Sequence, residues 1–355
     1  GYTGNDSFVF RVNDGTVNSA NATVSIVVED ENLSKALATV LALGDLTDVP
    51  AMYVDDTSSM LATVNPGEIK AVYFDALDYQ GSPTRVYAYV GIPAGASASH
   101  PVPGIVLVHG GGGTAFYEWV TKWNERGYAA ISIAVEGQTD SKEEPVINTG
   151  WHIHNMPGPV RAGIYDDSDV DPISEQWMYH AVADTVLANS LLRSLTGVSA
   201  DDVGIMGVSW GGVITSTAIG IDSRFRFAVP TYGCGSLATA DNQYGAALGD
   251  NELYQMVWDP MVRISNATLP VLWFSWPGDE HFPLNLQEDC YSAAPEPHMV
   301  SLIPGLRHGH AVAWNRPESY DFADSVLAGT PWCVQQSACL LYTSPSPRDN
   351  IANRV

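Results

Sequence analysis

The sequence is poor in base. Lysine and arginine together number 16 against 40 aspartates and glutamates, giving a formal net charge of −24 and a pI near 4.4. Phosphate backbones demand a basic surface, so nucleic acid is excluded as a partner. Polyanionic substrates are repelled unless the charge is offset locally. Scarce lysine and abundant aspartate suit a secreted protein from salty water. No apolar run reaches the roughly 20 residues of a membrane-spanning helix. Cysteine is also scarce: Cys234, Cys290, Cys333 and Cys339, with no C-x-x-C pair. Setting Cys339 aside with a suspect tail leaves three, enough for one disulfide and one free thiol. Cys234, just after a strand, reads as a core residue. No H-E-x-x-H sequence is present, and no G-K-[ST] follows a glycine run, so zinc and nucleotide-phosphate chemistry lack their usual signatures. No cofactor and no metal are expected.

What is present is a strand, a sharp turn and a helix around one serine. An apolar run from Val203 leads into Gly207-Val208-Ser209-Trp210-Gly211, and Val213 to Ile219 reads as a helix. In that context G-x-S-x-G is a nucleophile elbow. The turn is strained, and side chains at 207 and 211 would strike the neighbouring strand and helix. The competing reading is a glycine-rich turn with an idle serine.

Further features supply the rest of the chemistry. The apolar run Ile105 to Val108 ends in His109-Gly110-Gly111-Gly112-Gly113. Glycines after a strand let backbone N–H groups converge on a developing oxyanion. Gly111 and Gly112 are the expected donors, with the N–H of Trp210, the residue after the nucleophile. His109 reads as a support of this loop rather than a base. A strand from Pro270 to Trp276 turns out through Pro277-Gly278-Asp279-Glu280-His281. Asp279 is the expected acid, with Glu280 as fallback; alone, Asp279 would read as an ordinary turn aspartate. The next strand, His298 to Ile303, leads to His308-Gly309-His310. His308 is the expected base because it comes first in the loop after the strand. His310 is its competitor, or else a residue that caps the next helix or touches substrate. A metal bound by His308, His310 and His281 is the remaining alternative, without the ligand spacing of a zinc site.

These residues carry a resemblance. The segment from about Val72 to Pro331 resembles the α/β-hydrolase superfamily, in the branch of acetyl xylan esterases, cephalosporin-C deacetylases and dienelactone hydrolases. The likeness rests on Val106–Gly113, Trp123–Ala129, Gly207–Gly212, Tyr232-Gly233-Cys234 and Arg307–His310. It implies a mostly parallel sheet with helices on both faces. It also implies nucleophile Ser209, acid Asp279 and base His308, in the chain order Ser, Asp, His, and esterase activity, often on acetylated carbohydrate. Trp276-Pro277-Gly278 departs from the more Gly/Thr/Asn-rich turn expected before the acid.

Along the chain, residues 1–29 read as two alternating strands, Ser7–Val12 and Ala22–Val28, turning at Asn13-Asp14-Gly15. They resemble the end of a bacterial cadherin-like or immunoglobulin-like repeat. The chain therefore reads as a piece of a larger protein with its leader elsewhere. Residues 30–50 read as a linker with a short helix, and 51–333 as the hydrolase domain. Ile69–Leu77 and Thr84–Ile92 form its antiparallel edge. Strands at 105–109, 129–134, 203–208, 227–231, 271–276 and 298–303 alternate with helical stretches, Ile173–Leu195 among them. Between Gln138 and Asp171 the pattern lapses, and this stretch reads as a substrate wall carrying Trp151 and His154. Trp276 and His310 are the other expected substrate contacts. The acidic run Asp166–Asp171 lacks the EF-hand spacing and reads as solvated. Residues 339–355 resemble a cloning scar.

The leading expectation is a secreted esterase acting on a small ester or an acetylated carbohydrate, tethered to a cell surface or matrix through repeats outside this chain. A dienelactone-type hydrolase or a prolyl-oligopeptidase-like peptidase is the enzymatic alternative. A catalytically silent adhesion module is the alternative from another class.

Overall fold

Near-continuous apolar runs suit strands covered on both faces, and they build a nine-stranded sheet here. The structure is a computed structural model describing residues 4–28, 31–166 and 172–332. Its strands are β3 (Met52–Tyr53), β4 (Ile69–Asp75), β5 (Arg85–Gly91), β6 (Val102–Val108), β7 (Ala129–Ile133), β8 (Val198–Val208), β9 (Ala228–Thr231), β10 (Val271–Ser275) and β11 (His298–Leu302). Their order is β11-β10-β9-β8-β6-β7-β5-β4-β3. The six from β11 to β7 run parallel. The remaining three extend the β7 side as the expected antiparallel edge. Every residue of β7 and the stretch Ile105–Val108 of β6 are buried.

Helices cover both faces. Helix α2 (Tyr117–Glu125) packs on β5 and β7, α3 (Trp177–Ser194) on β6, β7 and β8, and α4 (Trp210–Ala218) on β8 and β9. The expected helix from Ile173 begins later, because Gln176 takes an extended backbone at φ −79°, ψ 147°. From Trp177 to Leu192 only Tyr179 is not buried, so α3 is an interior helix, covered nearly all round. The remaining helices are α5 (Gln243–Leu248), α6 (Leu284–Ala293), α7 (His310–Trp314) and α8 (Glu318–Ala328). Among the described residues no helix is long and apolar enough to cross a membrane.

Two boundaries differ from expectation. Residues 31–45 are not a linker. Helix α1 (Glu31–Leu41) and the 3-10 turn after it bury Val40 and Leu43 in the main core. Each such side chain contributes about 1.5–3 kcal/mol. Ser190 of α3 donates to the Leu46 carbonyl at 2.7 Å and ties the segment down further. The domain of the large sheet therefore starts about twenty residues before the expected boundary. The N-terminal strands form their own hairpin, β1 (Gly4–Phe10) with β2 (Ala22–Val28). Strand β1 ends at Phe10 because Asp14 folds the turn, accepting from the backbone N–H of Thr16 and Val17. Phe8, Val9 and Phe10 are exposed, so apolar side chains occupy both hairpin faces. Asp167–Asp171, Cys333, Cys339 and the tail 339–355 lie outside the described residues.

Candidate active site

Ser209 closes β8 and caps α4 at φ 59°, ψ −120°, a conformation that non-glycine residues rarely adopt. The glycines around it are obligatory. A Cβ on Gly207 would lie 1.9 Å from the Gly211 carbonyl oxygen, and one on Gly211 would lie 2.0 Å from that of Val108. On the other side, a Cβ on Gly110 would meet the Ser209 Cβ at 2.6 Å. Trp210 is the first residue of α4, so its N–H has no intrahelical acceptor and faces outward at the helix start.

The glycine loop after β6 is held by four side chains. His109 donates through Nδ1 to the Gly110 carbonyl at 2.8 Å, while its Nε2 accepts from the Val135 N–H and from Gln138. Gln138 also donates to the Gly113 carbonyl at 3.0 Å. Trp151 donates its indole N–H to the Gly112 carbonyl at 2.9 Å. His310 accepts the Gly110 N–H through Nε2 at 2.8 Å. Among the described residues the N–H groups of Gly111 and Gly112 have no acceptor. They are the loop donors left over for a ligand.

The Asp–His pair forms at the ends of the next strands. Asp279 follows β10 and places Oδ2 at 2.9 Å from His308 Nδ1. Its Oδ1 accepts the backbone N–H groups of His281 and Phe282 at 2.9 and 3.0 Å. Burial pushes this carboxyl up, but the His308 hydrogen bond and charge, with the two backbone donors, outweigh it and hold Asp279 below the ordinary range. With Nδ1 donating to Asp279, Nε2 of His308 is the basic nitrogen. Its ring is wedged between Tyr232, 4.5 Å away, and Phe282, stacked at 5.9 Å. The Tyr232 hydroxyl donates to the Arg307 carbonyl at 2.7 Å, and Gly233 packs on the Ser209 backbone. One short segment thus links the serine turn to the histidine loop. Glu280 is exposed and contacts neither.

The expected substrate contacts fare differently. His154 is not on the pocket wall: its side chain is 1% exposed, set against Asp56 and edge-on to Tyr73. Burial lowers its pKa to about 4, so it is a neutral support under the loop. The base alternative for His310 fails because Nε2 is occupied by Gly110. Its expected substrate contact is likewise replaced by this backbone contact. Burial and the nearby His308 lower its pKa to about 4. Trp151 acts on the glycine loop, with the Lys142 ammonium 3.1 Å from its ring centroid. Trp276 is half-buried and folds over Gly278. His281 lies 4.8 Å from His308, ring to ring, and pairs with Gln243. Among the described residues no group of three or more His, Cys, Asp or Glu is placed to hold a metal ion.

Two residues escaped the sequence reading. The Tyr244 hydroxyl lies within hydrogen-bonding reach of the Ser209 side chain, and burial raises its pKa. Its ring meets Trp210 at 5.7 Å and Phe282 at 5.1 Å. Arg161 brings a guanidinium over the Trp210 ring, 5.6 Å from its centroid. Arg161 had one signal, a rare cation inside an acid-rich irregular segment; Tyr244 had none.

A mixed sheet of this order, with a serine on the tight turn after β8 and an Asp–His pair beyond β10 and β11, defines an α/β-hydrolase. The family model Acetyl xylan esterase (AXE1) matches residues 56–236, about half of the chain, and the chain belongs to that family. It is a carboxylic ester hydrolase. Among solved structures, an acetyl xylan esterase from Paenibacillus sp. R4 aligns with TM-score 0.61 and 20% identity, covering 84% of this chain and 95% of that one. An acetyl xylan esterase from Thermoanaerobacterium sp. aligns with TM-score 0.61 and 17% identity, covering 83% and 94%. An acylaminoacyl peptidase from Pyrococcus horikoshii aligns with TM-score 0.53 and 17% identity, covering 79% of this chain but 44% of that one. These likenesses establish the fold. No curated protein sequence matches the chain.

Proposed function

We propose that this protein is a serine esterase that removes acetyl groups from acetylated carbohydrate through a Ser209–His308–Asp279 triad. The observation that carries the reading is Ser209 at φ 59° on its turn, with the 2.9 Å His308–Asp279 pair on neighbouring strand ends. In the reaction Ser209 Oγ attacks the ester carbonyl carbon and gives its proton to His308 Nε2. Asp279 holds the imidazole and stabilises its charged form. The N–H groups of Gly111, Gly112 and Trp210 receive the oxyanion. The alcohol leaves with the proton from His308, and water activated by the same residue releases acetate.

Family membership and the near-full coverage of two acetyl xylan esterases support acetylated xylan as the substrate. The peptidase alternative is less well supported, since its solved relative is aligned over less than half its length. The same reading has the enzyme act outside the cell, supported by the excess of acid over base. Attachment through a cadherin-like repeat ending in β1–β2 belongs to it, supported by the apolar side chains on both hairpin faces.

The test is hydrolysis of p-nitrophenyl acetate, butyrate and octanoate by the full chain beside Ser209→Ala, followed by acetate release from acetylated xylan. The expected result is fast acetate turnover lost in the variant. Equal rates for the two proteins would overturn the triad and leave a silent fold.

A further inference from the structure

Arg161 lies in the irregular segment between β7 and α3, yet its side chain is only 12% exposed. Three of its contacts fix its orientation. Nε donates to Glu136 Oε1 at 3.3 Å, and Nη1 donates to the carbonyls of Gly163 and Ile164. The guanidinium also sits between two indoles, its Cζ 5.7 Å from the Trp177 centroid and 5.6 Å from that of Trp210. That leaves Nη2, which has no acceptor among the described residues. Nη2 and Trp210 Cδ1 flank the same face of Gly111, at 3.2 and 3.6 Å from where a Cβ would stand. The two elements that supply oxyanion donors therefore meet beside an arginine N–H with no acceptor of its own.

We propose that Arg161 is a further, charged donor of the oxyanion site, with Nη2 directed at the ester carbonyl oxygen. The inference rests on the Ser209 reading above. As the bond from Ser209 Oγ to the carbonyl carbon forms, the C=O π pair moves onto oxygen and the serine proton passes to His308. Arg161 transfers no proton; it donates a hydrogen bond that strengthens as the oxygen gains charge. Glu136 balances part of its charge, which suits a donor to one oxygen better than a trap for polyanions. Burial pushes the Glu136 carboxyl up, and Arg161 offsets only part of that effect. The electrostatic reach of Arg161 extends to Tyr244, beside the nucleophile.

The experiment compares Arg161→Met and Arg161→Lys with the parent on p-nitrophenyl acetate, and measures inhibition by an alkyl boronic acid, which forms a charged tetrahedral adduct on the serine. Arg161→Met is expected to lower kcat by about 10²–10³-fold, the usual effect of losing one oxyanion donor, with KM little changed. Boronate affinity falls in parallel, and Arg161→Lys is intermediate. Unchanged kcat in Arg161→Met, or a rise in KM alone, overturns the proposal. So does a fall in kcat for Arg161→Met that leaves boronate affinity unchanged, which would mean that the arginine merely holds the loop. Labelling of Ser209 by a fluorophosphonate is read in every variant. Failure of the parent to label defeats the triad, whereas a labelled parent with indifferent Arg161 variants defeats only the arginine's role.

Discussion

His310 accepts the Gly110 N–H through Nε2 across 200 residues of sequence. This bond holds the glycine loop from behind and separates the two histidines of the His308-Gly309-His310 segment by role. His308→Ala is expected to lower kcat for p-nitrophenyl acetate by about 10⁴-fold or more, leaving what binding and the oxyanion site supply. His310→Ala is expected to cost about 10- to 100-fold, the scale of loop misplacement. An inactive His310→Ala beside an active His308→Ala would reverse the assignment.

Four histidines whose pKa values burial lowers, His109, His154, His180 and His310, make the fold sensitive to acid. Burial lowers the pKa of His109 to about 3 and those of His154 and His310 to about 4. Each value lies below that of the unfolded chain, near 6.5. Their contribution is therefore fully present above pH 6.5 and is lost as pH falls towards 4. Each neutral histidine contributes a slope of up to about 1.4 kcal/mol per pH unit in that window. Urea unfolding at pH 7, 6 and 5 measures the slope. His154→Gln is expected to remove about a quarter of it; an unchanged slope would show that His154 is charged in the fold.

Asp184 on α3 works in the opposite direction. It is fully enclosed, burial alone raises its pKa well above 3.8, and its Oδ1 has no partner among the described residues. A raised carboxyl contributes most below the unfolded value and loses that contribution as pH rises. Asp184→Asn is expected to stabilise the fold by about 1–3 kcal/mol at pH 8, and by less at pH 5. A gain that is the same at both pH values would mean that Asp184 is ionised inside the protein.

Glycine replacements should sort by what a Cβ would meet. Gly211→Ala puts a carbon 2.0 Å from the Val108 carbonyl, against backbone that cannot move aside. It is expected to yield no folded protein. Gly112→Ala meets nothing within 4 Å, and only its φ of +75° opposes the change. It should cost about 1–2 kcal/mol and keep the fold. Thermal unfolding distinguishes them, and a stable Gly211→Ala would contradict the geometry of the turn.

The parts of the site readable in sequence are those that local chemistry dictates. Gly207 and Gly211 bracket Ser209 because the turn leaves no room for anything else, and Asp279 and His308 stand just beyond apolar runs that could only be strands. The rest depends on distant partners. His154 is buried because Asp56, nearly a hundred residues earlier, meets it and its neighbour Asn155. The role of His310 follows from Gly110, and that of Arg161 from Glu136, Trp177 and Trp210. The short helix α1 was expected within a linker; that it packs onto the core depends on distant partners, such as Ser190 of α3, which ties down Leu46.

The sheet order divides labour down the middle of the molecule. Serine, acid and histidine hang from β8, β10 and β11 on one side, whereas the glycine loop, Glu136, Arg161 and the Trp151 segment follow β6 and β7 on the other. In the proposed mechanism the bond-breaking groups and the groups that cradle the ester are thus encoded in separate stretches of chain, which meet where β6 lies against β8, where His310 accepts the Gly110 N–H and where Arg161 lies over Trp210. Variation in the segment after β7 can reshape what enters the site without disturbing the strand ends that hold the reacting groups. One inherited scaffold of this kind can be fitted to different esters by exchanging a single stretch of about forty residues.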